Sequence, residues 1–129
     1  MKKEEIMTFI AMAIIIIGEI MSQNYTKKSM EEMRQRLSEL KQVTIERKYS
    51  NDEFEQKTQE IYELWEEKSK ILSYYIEHDE LEKVNTQIRT IKSDFEAELE
   101  DEAIPEIEKG IYILEHIEEK HQLSFKNVF

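Results

Sequence analysis

The sequence predicts an all-α protein, a single N-terminal transmembrane helix followed by an antiparallel helical bundle of about four helices. Three observations carry this. There are only 2 Gly and 1 Pro among 129 residues, whereas sandwiches and barrels need turn formers every 8 to 12 residues. The apolar residues of the second half of the chain step by 3 and 4, the period of a helix with one buried face. Finally, Ile6 to Gly18 reads IMTFIAMAIIIIG, 13 residues without a charge.

That apolar run defines the first element. Ile6 to Met21 is 16 residues, roughly 24 Å as a helix, and extension to the interfacial aromatic Tyr25 brings it to the thickness of a hydrocarbon core of about 30 Å. Ile6, Phe9, Ile10, Ile14 and Ile17 are the expected lipid-facing residues, and Glu19 is the one ionisable residue inside the segment. Two other readings compete: a cleaved signal peptide, since Lys2 and Lys3 precede an h-region-length run, and a buried core helix. No small-x-small cleavage site follows the run. Gly18 and Ser22 form one small-xxx-small pair that would allow close approach of another membrane helix. For Glu19 the alternatives are snorkelling to the interface, protonation, or pairing with a group on another helix. The basic residues split across the span, with Lys2 and Lys3 before it and Lys27, Lys28, Arg34 and Arg36 after it. The short tail starting with Lys favours an inside N-terminus and an extracytoplasmic domain.

Residues 1–28 are thus expected to be a membrane anchor and residues 29–129 an acidic bundle. In the bundle, Ser29 and Glu32 have the form of a capping box that starts a helix carrying Met30, Met33, Leu37, Leu40 and Thr44. Ser50 and Glu53 form a second one ahead of Phe54, Thr58, Ile61, Leu64, Trp65, Leu72, Tyr75 and Ile76. Asp79 as N-cap with Glu82 at the third helical position opens a helix with Leu81, Val84, Ile88, Ile91 and Phe95, a continuous helix through His78 being the alternative. The last helix starts near Glu98 to Glu102, with Pro105 expected in its first turn, and presents Ile104, Ile107, Ile111, Leu114 and Ile117. The tail from Leu123 to Phe129 is expected to dock on the bundle. The predicted core includes Leu37, Ile61, Trp65, Ile88, Ile91, Ile111 and Leu114.

Charge and composition narrow the function. With 18 basic and 29 acidic residues the net charge is −11, so a phosphate backbone is repelled and nucleic acid is not an expected partner. The absence of cysteine excludes disulfides, iron–sulfur clusters and thiolate zinc sites.

The string Leu114-Glu115-His116-Ile117-Glu118-Glu119-Lys120-His121-Gln122-Leu123-Ser124-Phe125-Lys126-Asn127-Val128-Phe129 resembles the C-terminal signature of a bacterial family catalogued as domain of unknown function 4363. The resemblance extends to the N-terminal span, to Trp65 with Lys68 and Lys70, and to Ile76-Glu77-His78-Asp79-Glu80-Leu81-Glu82, so it covers essentially the whole chain. Many members have a second aromatic where Leu72 stands, and a Gly- or Ser-containing turn where this chain has Ala97 to Ile104. The family motif residues here are Trp65, His78, Asp79, Leu114, His116, Leu123 and Asn127. The resemblance implies a small membrane-anchored helical protein of Gram-positive, often endospore-forming bacteria, with no reaction, ligand or catalytic residue.

The three histidines are the residues best suited to chemistry. Glu118 and His121 form one E-x-x-H, the unit that carboxylate-bridged di-iron bundles use twice. No second copy exists, and the pair is expected on a solvated last turn. The acidic stretch Glu98, Glu100, Asp101 and Glu102 lacks the alternating ligands and the Gly of an EF-hand loop. His78 between Glu77 and Asp79 is expected to shape a helix junction by a local hydrogen bond, with a pH response as the sharper alternative. Trp65, Tyr74 and Tyr75 read as core and rim aromatics. The expectation is therefore a non-enzymatic, membrane-anchored interaction or structural module, with no cofactor, no metal and no small-molecule substrate. Its expected partners are the cell membrane and a protein, a multi-pass membrane protein or a second copy of itself. A metal-binding or enzymatic bundle built on Glu118 and His121 is the alternative.

Overall fold

A computed structural model describes residues 2–128. Four helices make up the described residues: α1 (Lys3–Ile45), α2 (Asn51–Leu72), α3 (His78–Glu96) and α4 (Glu100–Val128). They run up, down, up and down, with α1 packed between α4 and α2, and α3 between α2 and α4. Cross-helix pairs fix the register: Lys68 to Glu32 at 2.7 Å, Arg34 to Glu118 at 2.8 Å, and Lys41 to Glu108.

No helix starts at Ser29. The apolar segment and the first bundle helix are one unbroken helix of 43 residues, about 65 Å long. No Gly or Pro follows Gly18 within α1, and extending an existing helix is far cheaper than nucleating a new one. Ser29 is buried on the packed face and caps nothing. Bundle packing begins at Ser22 rather than at Ser29, because Ser22 and Thr26 are also buried. The apolar half does the opposite. Its 18-residue hydrophobic window is long and apolar enough to cross a membrane and is only 6% buried, so it is not a core helix of this fold.

The connection from α2 to α3 spans residues 73–77 and is longer than expected. Ser50 accepts a hydrogen bond from the Glu53 amide at 3.3 Å, as the capping box predicts. Helix α2 ends at Leu72, however, not at Ile76. The amides of Tyr74 and Tyr75 turn back to the carbonyls of Ile71 and Leu72, a tightened last turn that ends the α pattern. The N-cap of α3 is Glu77, with no side-chain cap, rather than Asp79, and α3 starts at His78. A continuous helix through His78 is thereby excluded.

The other two connections end in Schellman motifs. Lys48 N–H bonds Val43 O and Arg47 N–H bonds Thr44 O; Leu99 N–H bonds Asp94 O and Glu98 N–H bonds Phe95 O. The residues in the left-handed position are Arg47 at φ 53° and Glu98 at φ 59°, where glycine is the usual occupant. Pro105 sits in the second turn of α4 rather than the first. It leaves the carbonyl of exposed Asp101 without its intrahelical donor, a place where water can substitute.

The core holds Trp65, Phe54, Phe95, Leu37, Ile61, Ile88, Ile91, Ile107 and Leu114, with Ile111 only partly buried at its edge. Phe54 and Phe95 stack at 4.9 Å. Gly110 brings α4 close to α1 and α3, since a Cβ there would lie 3.2 Å from Leu37 Cδ1 and 3.6 Å from Ile91 Cδ1. The tail does not fold back. It continues α4, with Leu123 exposed and Phe125 partly buried; Phe129 lies outside the described residues.

Candidate functional site

The chemistry of the molecule gathers where the apolar half of α1 enters the bundle. Helix α1 carries its 3-and-4 stripe backwards from Met33 and Met30 through Thr26, Ser22 and Glu19. Helix α4 carries its own forward from Ile107, Ile111 and Leu114 through Glu118 and His121. The two stripes face each other, so the interior changes from apolar to polar toward the apolar half of α1. Glu118, 7% exposed, pairs with Arg34 at 2.8 Å. Ser22 Oγ lies 3.5 Å from His121 Nε2. Thr26 Oγ1, Ser29 Oγ and Gln23 Oε1 are buried with no hydrogen-bond partner in the structure.

Glu118 and His121 therefore do not sit on a solvated last turn. Seven residues of α4 follow His121. Burial pushes the His121 imidazolium below its ordinary value, and the carboxylate of Glu19 opposes that shift. Glu19 is half-buried, on the α1 face toward His121. Ser22 is likewise covered by α4, while a Cβ on Gly18 would meet nothing, so the small pair does not form one open face.

A second polar group lies beside it on α3. Glu80 is 8% exposed. Burial would raise its carboxyl, but hydrogen bonds from Lys120 and Lys83, each at 3.3 Å, bring it below the ordinary carboxylate value. Tyr75, Ile76, Glu80, Ile117, Lys120 and His121 line a cavity of about 90 Å³, with room for several waters. Among the described residues no three His, Asp or Glu side chains converge as around a metal ion.

The remaining motif residues separate. Trp65 and Leu114 are core. His78 is exposed, its nearest charge Glu82 at 3.9 Å, which is too long for the hydrogen bond expected at that junction. Asp79, Leu123 and Asn127 are exposed, and His116 is exposed with its ring stacked on Tyr112 at 6.3 Å. Ile6, Phe9, Ile10, Ile14 and Ile17 all point outward. Sequence reading missed Arg34, Glu80 and Lys120. The signal was there for Glu118, which falls on the apolar phase of α4 and so needed a cation from a neighbouring helix.

Such a molecule, a polar-throated helical bundle grown from one long helix with a bare apolar half, belongs to the class of helical bundle proteins carrying one terminal apolar helix. More narrowly, residues 20–128 match the family model described as Domain of unknown function (DUF4363), and the chain belongs to that family. No curated protein and no solved structure matches the chain. The family match starts at Ile20, two residues before the first buried residue of α1, Ser22.

Proposed function

We propose that the chain is a single-pass, membrane-anchored interaction module whose acidic bundle stands on the extracytoplasmic side and binds a protein, without catalysis. One observation carries the anchoring: a single unbroken helix has one half bare and apolar and the other half buried as bundle core. An uncovered stretch of this size has no favourable place in water, since each exposed large side chain forgoes about 1.5 to 3 kcal/mol of burial. The inside N-terminus rests on the short Lys2–Lys3 tail.

The protein partner is argued from charge. Residues 29–129 hold 14 basic and 26 acidic residues, a net of −12, and the outer face of α2 exposes Glu60, Glu63 and Glu67. A basic protein surface, on a multi-pass membrane protein or another extracytoplasmic domain, complements that face. The contact is sought on this acidic face of the bundle rather than in the span.

Three measurements test this. Membrane-extracted protein should show the full-length N-terminus by mass spectrometry; a mature species beginning near Ser22 points to a cleaved signal sequence. Protease added to intact protoplasts should remove the bundle, and protection would reverse the orientation. A partner retained after mild detergent extraction should be lost on combining Glu63→Gln with Glu67→Gln, whereas Glu19→Leu should retain it. Recovery of only a second copy of the chain would identify self-association.

A further inference from the structure

The bundle end that meets the apolar half of α1 differs from the sides and from the far end. Outside the span, seven large apolar or aromatic side chains are exposed among the described residues, and four of them lie here. Tyr74 (83% exposed) and Tyr75 (43%) form the α2–α3 turn, Ile71 is on the last turn of α2, and Leu123 (60%) is on the part of α4 that runs past His121. Lys27, Lys28, Lys70 and Lys126 are exposed at the same end, with no acidic partner within 4 Å among the described residues. Glu77 and Asp79 are also exposed beside the α2–α3 turn, whereas the far end exposes Ile45 and Leu99 amid Glu46, Asp52, Glu98, Asp101 and Glu102, around Arg47 and Lys48.

We propose that this end is a collar that docks on the phospholipid surface. Tyr74, Tyr75, Ile71 and Leu123 enter the interfacial layer, and the four free lysines meet lipid phosphates. The proposal rests on the reading of α1 as a membrane span and adds to it where the bundle sits. Helix α1 has no Pro, and no Gly after Gly18, so it offers none of the usual points for a sharp kink between span and bundle. The seven residues of α4 after His121 descend roughly 10 Å toward the span. A membrane plane drawn at the end of the apolar run therefore meets the α2–α3 turn and the end of α4. Tyrosine has the chemistry for that layer, an apolar ring with a polar tip, and lysine buries its stem while its ammonium stays with the headgroups. Anionic headgroups would add attraction to the lysines and repel the acidic far end.

The chain contains no cysteine, so single probes can be placed cleanly. Full-length Ile14→Cys, Tyr74→Cys, Leu123→Cys and Tyr112→Cys variants, each carrying an environment-sensitive fluorophore, are reconstituted into phosphatidylcholine–phosphatidylglycerol vesicles containing brominated lipid. All four positions are exposed, so the core is untouched. The Ile14 probe should be strongly quenched with a blue-shifted emission, the Tyr74 and Leu123 probes partly quenched, and the Tyr112 probe on the side of α4 not quenched. If the Tyr74 and Leu123 probes match Tyr112 while Ile14 stays quenched, the span stands and the collar is overturned, leaving that end for a protein. If Ile14 is unquenched, the span reading falls and the collar with it. In pure phosphatidylcholine the quenching at Tyr74 and Leu123 should drop; unchanged quenching would overturn the lysine contribution.

Discussion

The two ends of the bundle are built by different physics. At the far end the interior is apolar, with Phe54 stacked on Phe95 and Tyr49 edge-on to Phe54 at 5.5 Å, and the turns are closed by backbone geometry. At the near end the same helical stripes carry Glu19, Ser22, Thr26, Glu118 and His121, and the helices are joined by ion pairs and hydrogen bonds. A dry end is stabilised by area and is indifferent to partners. A polar end depends on each group finding its complement, since a buried polar atom left unpaired costs about 1 to 3 kcal/mol. The near end is thus the conditional part of the molecule, and it is the part closest to the proposed membrane surface.

The comparison can be tested on a segment from Ser22 onward, which should fold alone. One starting at Ser29 should melt lower, because it strips Ser22 and Thr26 from His121 and the end of α4. The largest single effect should come from the dry core. Trp65→Ala is expected to cost about 3 to 5 kcal/mol in reversible denaturation; a loss below about 1 kcal/mol would mean that Trp65 is not packed as the fold requires. Next, Glu118→Ala leaves Arg34, a quarter exposed, without its carboxylate, and should cost about 1 to 3 kcal/mol. If Glu118→Leu is better tolerated when Arg34→Leu is also made, the pair sets register rather than stability.

The far-end turns should respond in the opposite sense. Glu98→Gly, and separately Arg47→Gly, relieves a left-handed backbone that costs other residues about 1 kcal/mol, and should raise the denaturation midpoint. A lowered midpoint would show that these side chains hold the turn. The smallest effect concerns pH. Burial depresses the proton affinity of folded His121, so the unfolded chain binds more protons below the usual histidine value of about 6.5. Stability should therefore fall as pH drops from about 6.5 toward the depressed value of folded His121, and level off below it. His121→Gln should lose that part of the slope, and an identical pH profile for variant and parent would remove His121 from the account.

Composition and spacing by themselves determined the helical class, the single apolar segment and most of the core, because a 3-and-4 stripe encodes its own buried face. Trp65, Leu37 and Leu114 were legible for that reason. So was the Ser50 and Glu53 cap, a local interaction complete within four residues. What only the tertiary structure decided was where polar residues on those stripes find partners. Ser29 and Glu32 have the same local form as Ser50 and Glu53, yet Ser29 is helix interior and buried, because the helix from the apolar segment propagates through it. Glu118 and His121 looked like a solvated end, yet Glu118 is buried and His121 partly buried, because α4 runs on past them. The left-handed Arg47 and Glu98 carry no local signature either, since a turn imposed by two packed helices can override the preference of the residue that occupies it.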